Sequence, residues 1–227
     1  MGVSKKQAAE NRRAIVAAAT TLFRERGVDG VGLNELMKYA GFTQGGFYNH
    51  FASKEALVAE VVAAAMAQGG EDFAEKEKRP VPKTTDVLRR HVRYYLSEGH
   101  RDDIDRGCPV AGFAGGAPRF GTEARASYAA GVEGMIGLIE SLVAASGAAG
   151  DGAVTLREQA MRAYCEMVGA LLLSRAVGGA APKLASELLE TSRRGLTGAT
   201  SKRPKRAPRK RLTGTPKPRE GALARSR

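Results

Sequence analysis

The stretch that decides the fold is residues 40–51, which read Ala-Gly-Phe-Thr-Gln-Gly-Gly-Phe-Tyr-Asn-His-Phe. Gly41 suits a sharp or left-handed turn that a side chain would strain, and it follows a short apolar-periodic helix that begins near Leu33. Thr43 is placed to cap a second helix, on which Phe47 and Phe51 share one face. A short helix, a tight turn and a capped second helix have the spacing of a helix-turn-helix.

Helical periodicity continues on both sides of this motif, and no alternating strand pattern is convincing. An amphipathic helix over residues 7–26 should end at Gly27. A helix capped by Ser53 should run to Gly69-Gly70. Further helices are predicted over 84–98, 122–145, 155–177 and 182–194, whereas the glycine-rich stretch 107–121 gives no clear assignment. The sequence therefore predicts an all-α fold, with a three-helix helix-turn-helix domain (1–60) followed by a second helical domain (61–198).

The charge of the chain is concentrated at its C-terminal end. The 227 residues carry a formal net charge of +12. Residues 1–60 hold eight Lys and Arg against six Asp and Glu, and residues 61–198 hold seventeen of each. Residues 199–227 hold eleven against one. This Lys/Arg/Pro-rich tail has almost no apolar residues to offset the entropy of folding, so we expect it to be disordered. Its cations can contact phosphates in any sequence, or can simply keep the chain soluble.

The composition also limits the cellular compartment in which the protein can work and the kinds of chemistry that it can carry out. Two cysteines make no disulfide framework and fit a reducing compartment. No apolar run reaches the ~18 residues of a membrane span, because Arg175 interrupts the best candidate, 168–181. No catalytic, metal-binding or phosphate-loop motif occurs. The sequence therefore predicts a cytoplasmic protein that is not an enzyme, with no membrane partner, cofactor or metal.

The polar residues of the second helix are candidates for contact with bases. Gln and Asn amides can read base edges in the major groove, and Tyr and His can reach bases or phosphates. The plain alternative is that these side chains form the solvated face of a surface helix. The candidate DNA-binding residues are Thr43, Gln44, Gly45, Gly46, Tyr48, Asn49, His50 and Lys54.

The motif closely resembles the DNA-binding domain of the TetR family of transcriptional regulators. Residues 40–51, the following Ser-Lys-Glu-Ala-Leu (53–57) and the preceding Leu-Phe-Arg-Glu-Arg-Gly (22–27) carry this resemblance. It is strong over about residues 14–60 and extends to the remainder only in architecture. Gly32 departs from the family pattern, which usually offers Thr or Ser there as a cap, and glycine is a weaker cap.

The resemblance implies that residues 61–198 form an effector-binding and dimerisation domain. It also implies the partners and the mechanism. We expect a bacterial repressor that binds a palindromic operator in double-stranded DNA as a homodimer and associates with the nucleoid when bound. The last two helices would form the dimer interface, although their apolar residues could instead fill a monomer core. In the family pattern Lys54 matches a phosphate contact. A small-molecule, electrophile or oxidant signal would release the operator by a population shift carried through residues 54–68. The alternative function is a nucleoid-type DNA-binding protein that acts largely through its basic tail.

The effector site is less well specified by the sequence. Cys108 lies near Arg106 and in a glycine-rich stretch, either of which can lower a thiol pKa. Its Gly-Cys pair resembles a TetR subgroup in which that cysteine senses electrophiles or oxidants, but a free cysteine is also a common packing residue. The remaining candidates to line an effector site are His91, Tyr95, Phe113 and Tyr128. Aromatic residues at helical spacing belong to a core more often than to a pocket.

Overall fold

The computed structural model describes residues 4–77, 86–147 and 154–198, which form nine α-helices and two short 3-10 helices with no strand. The helices are α1 (Lys5–Arg26), α2 (Leu33–Tyr39), α3 (Lys54–Glu77), α4 (Val87–Tyr95), α5 (Glu98–Asp102), α6 (Pro109–Phe113), α7 (Thr122–Ala145), α8 (Leu156–Gly178) and α9 (Pro182–Leu196), and the 3-10 helices are Gln44–Asn49 and Ala117–Arg119. The all-α prediction is confirmed. The tail predicted to be disordered lies outside the described residues.

Helices α1 and α2 and the first 3-10 helix form the predicted helix-turn-helix. Gly27 and Gly41 end the first two helical segments with φ values of 75° and 85°, as their positions predict. The third helix differs from the prediction, since it is 3-10 and the Thr43 side chain makes no capping bond. Its first turn is closed by the Gly46 N–H donating to the Thr43 backbone carbonyl at 3.0 Å. Two glycines in six residues explain why no regular α-helix forms there.

Helix α3 extends beyond its predicted end at Gly69-Gly70. Ser53 caps it as expected, accepting a bond from the Ala56 N–H at 3.2 Å. The helix continues to Glu77 because Gly69 is used for packing: a Cβ there would lie 2.6 Å from the Pro109 ring of α6. The expected domain boundary at residue 60 therefore falls inside a helix that packs against both parts of the chain.

The helix predicted over 84–98 is divided in two. Asp86 caps α4 by accepting from the Arg89 N–H at 3.0 Å. Ser97 then starts α5 by accepting from the His100 N–H at 3.1 Å. The Ser97 hydroxyl supplies a new N-cap where the periodicity alone suggested that one helix was ending. In the glycine-rich stretch, Pro109 occupies the first turn of α6.

The last three helices agree with prediction to within two residues at each end. Thr155 and Glu158 form a reciprocal capping box at the start of α8. The Ser174 hydroxyl of α8 donates to the Ala185 carbonyl of α9 at 2.8 Å, where both groups are buried. Helix α7 packs on α3 and α8, and α8 packs on α9. One apolar core runs from Ile15 of α1 to Leu189 of α9.

Helix α7 is long and apolar enough to cross a membrane by length and composition alone. The sequence predicts this helix over 122–145 but does not mark it as a membrane span, because the best apolar run is 168–181. Leucine, isoleucine, valine and alanine residues give α7 its apolar character, and 22% of its most apolar stretch is buried. Core helices of soluble proteins satisfy the same criterion, so the observation is weak evidence for a membrane partner.

The contact between α7 and α3 can be tested with two glycines of the same helix. A Cβ at Gly131 would lie 2.6–2.8 Å from the Met66 side chain, whereas a Cβ at Gly137 would meet nothing within 4 Å. Gly131→Ala should lower the free energy of unfolding, because overpacking costs ~1–3 kcal/mol and exceeds the gain in helix propensity. Gly137→Ala, the matched control, should raise it by up to about 1 kcal/mol. Urea unfolding followed by circular dichroism measures both, and equal midpoints for the two variants would contradict the packing described.

Candidate nucleic-acid interface and effector cavity

The segment Gln44–Asn49 is anchored by two phenylalanines. Phe47 and Phe51 are buried, and their rings stack with centroids 5.5 Å apart. The Tyr48 ring meets the Phe47 ring edge-on at 5.3 Å, yet Tyr48 is 67% exposed. Burial of one face of the segment therefore fixes the orientation of the polar side chains on the other.

The predicted DNA-binding residues divide into two groups. Five of them are exposed on the segment and its N-terminal cap: Thr43, Gln44, Gly45, Tyr48 and Asn49. The other three, Gly46, His50 and Lys54, are half-buried. A Cβ at Gly45 would meet nothing within 4 Å, so the glycine leaves the surface open for close approach. The amides of Gln44 and Asn49 and the Tyr48 hydroxyl are thus presented to solvent from one short, well-packed segment.

Lys54 has a structural role that the sequence did not reveal. Its Nζ donates to the Val28 and Val31 carbonyl oxygens, each at 2.7 Å. These bonds fasten the loop between α1 and α2 to the start of α3. An ammonium has three N–H donors, so a third is left for another acceptor. The contact of Lys54 with phosphate stays a prediction.

Arg12 also positions the segment, and sequence reasoning missed it. Its Nε lies 3.1 and 3.0 Å from the two carboxylate oxygens of Glu60, and its Nη1 donates to the His50 carbonyl. The guanidinium carbon lies 4.1 Å from the centroid of the Phe51 ring. A signal existed in the sequence, because Arg12 precedes Ile15 by three residues and therefore lies on the apolar face of α1.

A cavity of about 60 Å³ lies between α3, α4 and the turn that leads to α6. Three of the five predicted effector residues line it: His91, Tyr95 and Cys108. Sequence reasoning missed several other lining residues, including Asp72, Phe73, His100 and Met135.

The other two predicted effector residues do not line this cavity. Phe113 is buried and packs edge-on against Phe120 at 6.3 Å. The Tyr128 hydroxyl donates to the Val110 carbonyl at 2.9 Å. Burial, with a smaller contribution from Cys108, raises the pKa of Tyr128 to about 12.

Cys108 is buried among groups that hold its backbone in place. Its N–H donates to His100 Nε2 at 3.1 Å, and His100 Nδ1 lies 2.7 Å from the Tyr95 carbonyl. Together these bonds require a neutral His100 with its proton on Nδ1. Burial and the neighbouring Cys108 raise the pKa values of the Tyr95 and Tyr164 hydroxyls. The thiol therefore lies beside two neutral phenols.

Two half-buried arginines hold the turn that carries Cys108. Arg175 of α8 donates to the carbonyls of His100 and Arg101 at 3.0 and 2.9 Å. Arg24 of α1 donates to the Gly107 carbonyl. Burial lowers the pKa values of both guanidiniums, and the nearby Cys108 opposes that shift.

A second, larger opening lies between α3 and α7. This groove has a volume of about 600 Å³ and is lined mostly by alanine, glycine and methionine. Its volume is in the usual range for small-molecule sites, ~300–1,000 Å³, whereas the cavity at Cys108 is far below it. Met135 lines both openings. Within the described ranges, no cluster of three or more His, Cys, Asp or Glu residues could hold a metal ion.

The fold is similar to those of solved bacterial regulators. A TetR-family regulator from Agrobacterium tumefaciens matches with a TM-score of 0.70 and 21% identity, over 86% of this chain and 100% of that one. Escherichia coli NemR in its reduced form matches with a TM-score of 0.67 and 21% identity, over 83% of this chain and 96% of that one. At this identity the likeness shows the fold alone.

The N-terminal sequence adds the deciding match. Residues 15–61 fit the family model described as bacterial regulatory proteins, tetR family. Residues 15–61 therefore match the DNA-binding domain of TetR-family regulators. This match covers the helix-turn-helix and the first turns of α3, where the exposed segment and its anchors lie.

Curated relatives match part of the chain. The transcriptional repressor BepR of Brucella suis is 33% identical over 89 residues, which are 39% of this chain and 43% of the relative. The regulator AcrR of Shigella flexneri is 37% identical over 93 residues, which are 41% and 43% of the two chains. The matched segment thus spans less than half of either relative.

Proposed function

We propose that this protein is a DNA-binding transcriptional regulator that represses its target genes by binding a palindromic operator as a homodimer. The observation that carries the proposal is the segment Gln44–Asn49, whose exposed amides and tyrosine stand on a buried pair of phenylalanines. In the major groove, Gln and Asn amides can bond bidentately to adenine. Thr43, His50 and Lys54 would add contacts to phosphate or bases. The role is regulatory and cytoplasmic and involves no catalytic step.

Apolar side chains on the last two helices support the dimer. Leu173 and Met161 of α8 are 56% and 41% exposed, and Leu184 of α9 is 45% exposed. Pairing these helices with a second copy would remove apolar surface from water. A two-fold axis would then place the two exposed segments in successive major grooves, about 34–36 Å apart.

The alternative of a nucleoid-type protein is not favoured, because the matched residues 15–61 form a sequence-reading motif. We propose an accessory role for the tail instead, in which its eleven cations bind phosphates of any sequence and raise the local concentration of protein near operators.

The signal is proposed to act at the cavity beside Cys108. A small electrophile or oxidant suits both the small volume and the thiol lining it. One relative in fold is described in a reduced form, and another, FadR of Bacillus subtilis, in complex with stearoyl-CoA; a larger effector of this chain would need the groove between α3 and α7. An effector whose binding free energy differs by ~1–3 kcal/mol between two states of the dimer would change operator affinity about 5–150-fold.

The operator contacts can be tested by amide-to-alanine changes. Gln44→Ala and Asn49→Ala should each weaken binding to an operator found by unbiased selection by about tenfold or more, because a bidentate base contact is worth ~1–3 kcal/mol. Affinity for random DNA should change little. Gln68→Ala, an exposed glutamine on α3 outside the motif, is the matched control. Fluorescence anisotropy measures all three, and equal losses on operator and random DNA would contradict base reading.

The role of Cys108 can be tested against the second cysteine. N-ethylmaleimide should lower the operator affinity of the native protein, and Cys108→Ser should abolish this response without loss of DNA binding. Cys165→Ser should respond normally, although Cys165 is the exposed cysteine. If Cys165→Ser removes the response and Cys108→Ser keeps it, the packing interpretation of Cys108 is correct.

The tail can be tested through the salt dependence of binding. Changing the seven cations of residues 202–211 to Gln should reduce the slope of log K against log salt by up to about 6, because each neutralised phosphate contributes ~0.9. The ratio of operator to random-DNA affinity should stay constant. A chain with residues 199–227 permuted keeps the same charge and should retain the native slope. An unchanged slope in the Gln variant would eliminate the tail from DNA binding.

A further inference from the structure

Arg24 is a residue of α1 whose side chain reaches into the effector domain. Its Nη2 donates to the carbonyl of Gly107, a residue 83 positions later in the chain and adjacent to Cys108. The other end of α1 carries Arg12, which holds the C-terminal end of the exposed segment through the His50 carbonyl. Helix α1 therefore links the turn at the cavity to the segment proposed to read DNA.

The fit around Arg24 is close. A Cβ at Gly112 of α6 would lie 2.9 Å from Arg24 Nε and 3.2 Å from its Cγ. Only glycine at position 112 lets the arginine stem lie against α6. The buried Nε has no hydrogen-bond partner among the described residues. The half-buried charge is stabilised by the Gly107 carbonyl and by Cys108, Asp105 and Asp103, which all lie on or next to the same turn. A displacement of this turn would therefore remove part of that stabilisation.

The turn is held from two opposite parts of the chain. Arg24 holds it from the helix-turn-helix domain, and Arg175 holds it from α8 through the carbonyls of His100 and Arg101. The Cys108 N–H is in turn fixed by His100. A group added at the cavity therefore disturbs a turn whose carbonyls are bound on one side by α1 and on the other by the helix proposed to form the dimer.

Other contacts also join the same parts of the chain. Helix α3 lies against α6 where Gly69 meets Pro109. Arg119 pairs with Asp29 of the loop between α1 and α2 at 3.1 Å, but these side chains are 65% and 77% exposed. Exposed ion pairs contribute little, so the Arg119–Asp29 pair is a matched control, whereas the contact at Gly69 is the competing route.

We propose that Arg24 is the positioning residue through which the state of the cavity is transmitted to the DNA-binding domain. This inference rests on the proposed function and adds the path by which a change at the cavity would regulate DNA binding. With the cavity empty, the bond to Gly107 holds α1 in the orientation that binds the operator. When a group is added at Cys108, the turn shifts, the Gly107 carbonyl leaves Arg24, and α1 is released.

The test uses the full chain with Cys165→Ser, so that N-ethylmaleimide reacts at Cys108. The sulfur bonds to one alkene carbon of the maleimide, and the thiol proton ends on the other. Operator affinity is measured before and after alkylation. The parent should lose affinity about 5–150-fold. Arg24→Gln should begin with weakened affinity and lose almost nothing further. Arg24→Lys, whose ammonium can donate to Gly107, should recover part of the response, and Arg119→Gln should respond as the parent does.

Hydrogen exchange provides a second readout that needs no operator. Alkylation should speed amide exchange in the last turns of α1 in the parent and in Arg119→Gln, while Arg24→Gln should exchange rapidly with or without alkylation. A parent that fails to select an operator but shows this exchange pattern would overturn the proposed function and leave the role of Arg24 supported. Unchanged exchange in the alkylated parent, or an Arg24→Gln variant with the full parental response, would overturn the role of Arg24 and assign the coupling to α3.

Discussion

The structure depends on one apolar stripe along α3 that is buried over almost the whole helix. Leu57, Val61 and Val62 pack into the helix-turn-helix domain, and Met66 and Phe73 pack into the effector domain. Helix α3 thus contributes buried side chains to both ends of one continuous core. Since hydrophobic burial is the dominant favourable term in folding, the burial of this stripe stabilises both ends of the core. The exposed segment, its anchoring phenylalanines and the cavity are all placed relative to this helix.

Much of this arrangement could be predicted, because local chemistry decides it. Glycine at positive φ ends α1 and α2, and the Ser53 and Thr155 caps begin α3 and α8. The end of α3 could not be predicted in the same way. Gly69 signals a helix end in the sequence, but in the structure it makes room for a proline ring more than thirty residues away. Local propensity is a weak prior, and tertiary packing overrides it.

The candidate functional sites were also predictable only in part: residue chemistry could be recognised from the sequence, but tertiary contacts could not. Residue type and helical framing were enough to single out the exposed segment as a candidate and to place Cys108, His91 and Tyr95 among five effector candidates. In the structure these three line one cavity. Phe113 and Tyr128 have the same residue chemistry but face the core, because periodicity does not show which neighbour a helix face meets. The contacts of Arg24 and Arg175 were out of reach, since each acts on a backbone carbonyl distant in sequence. For Arg12 the sequence held one signal, its place on the apolar face of α1.

Met135 borders both the small cavity beside Cys108 and the open groove between α3 and α7. A methionine has three rotatable side-chain bonds and adapts to irregular spaces. Because one side chain lines both spaces, a change of its torsion angles changes the wall of both at once. Side-chain torsion angles interconvert far faster than helices rearrange, so the shapes of the two spaces are coupled through Met135 without any movement of the helical scaffold.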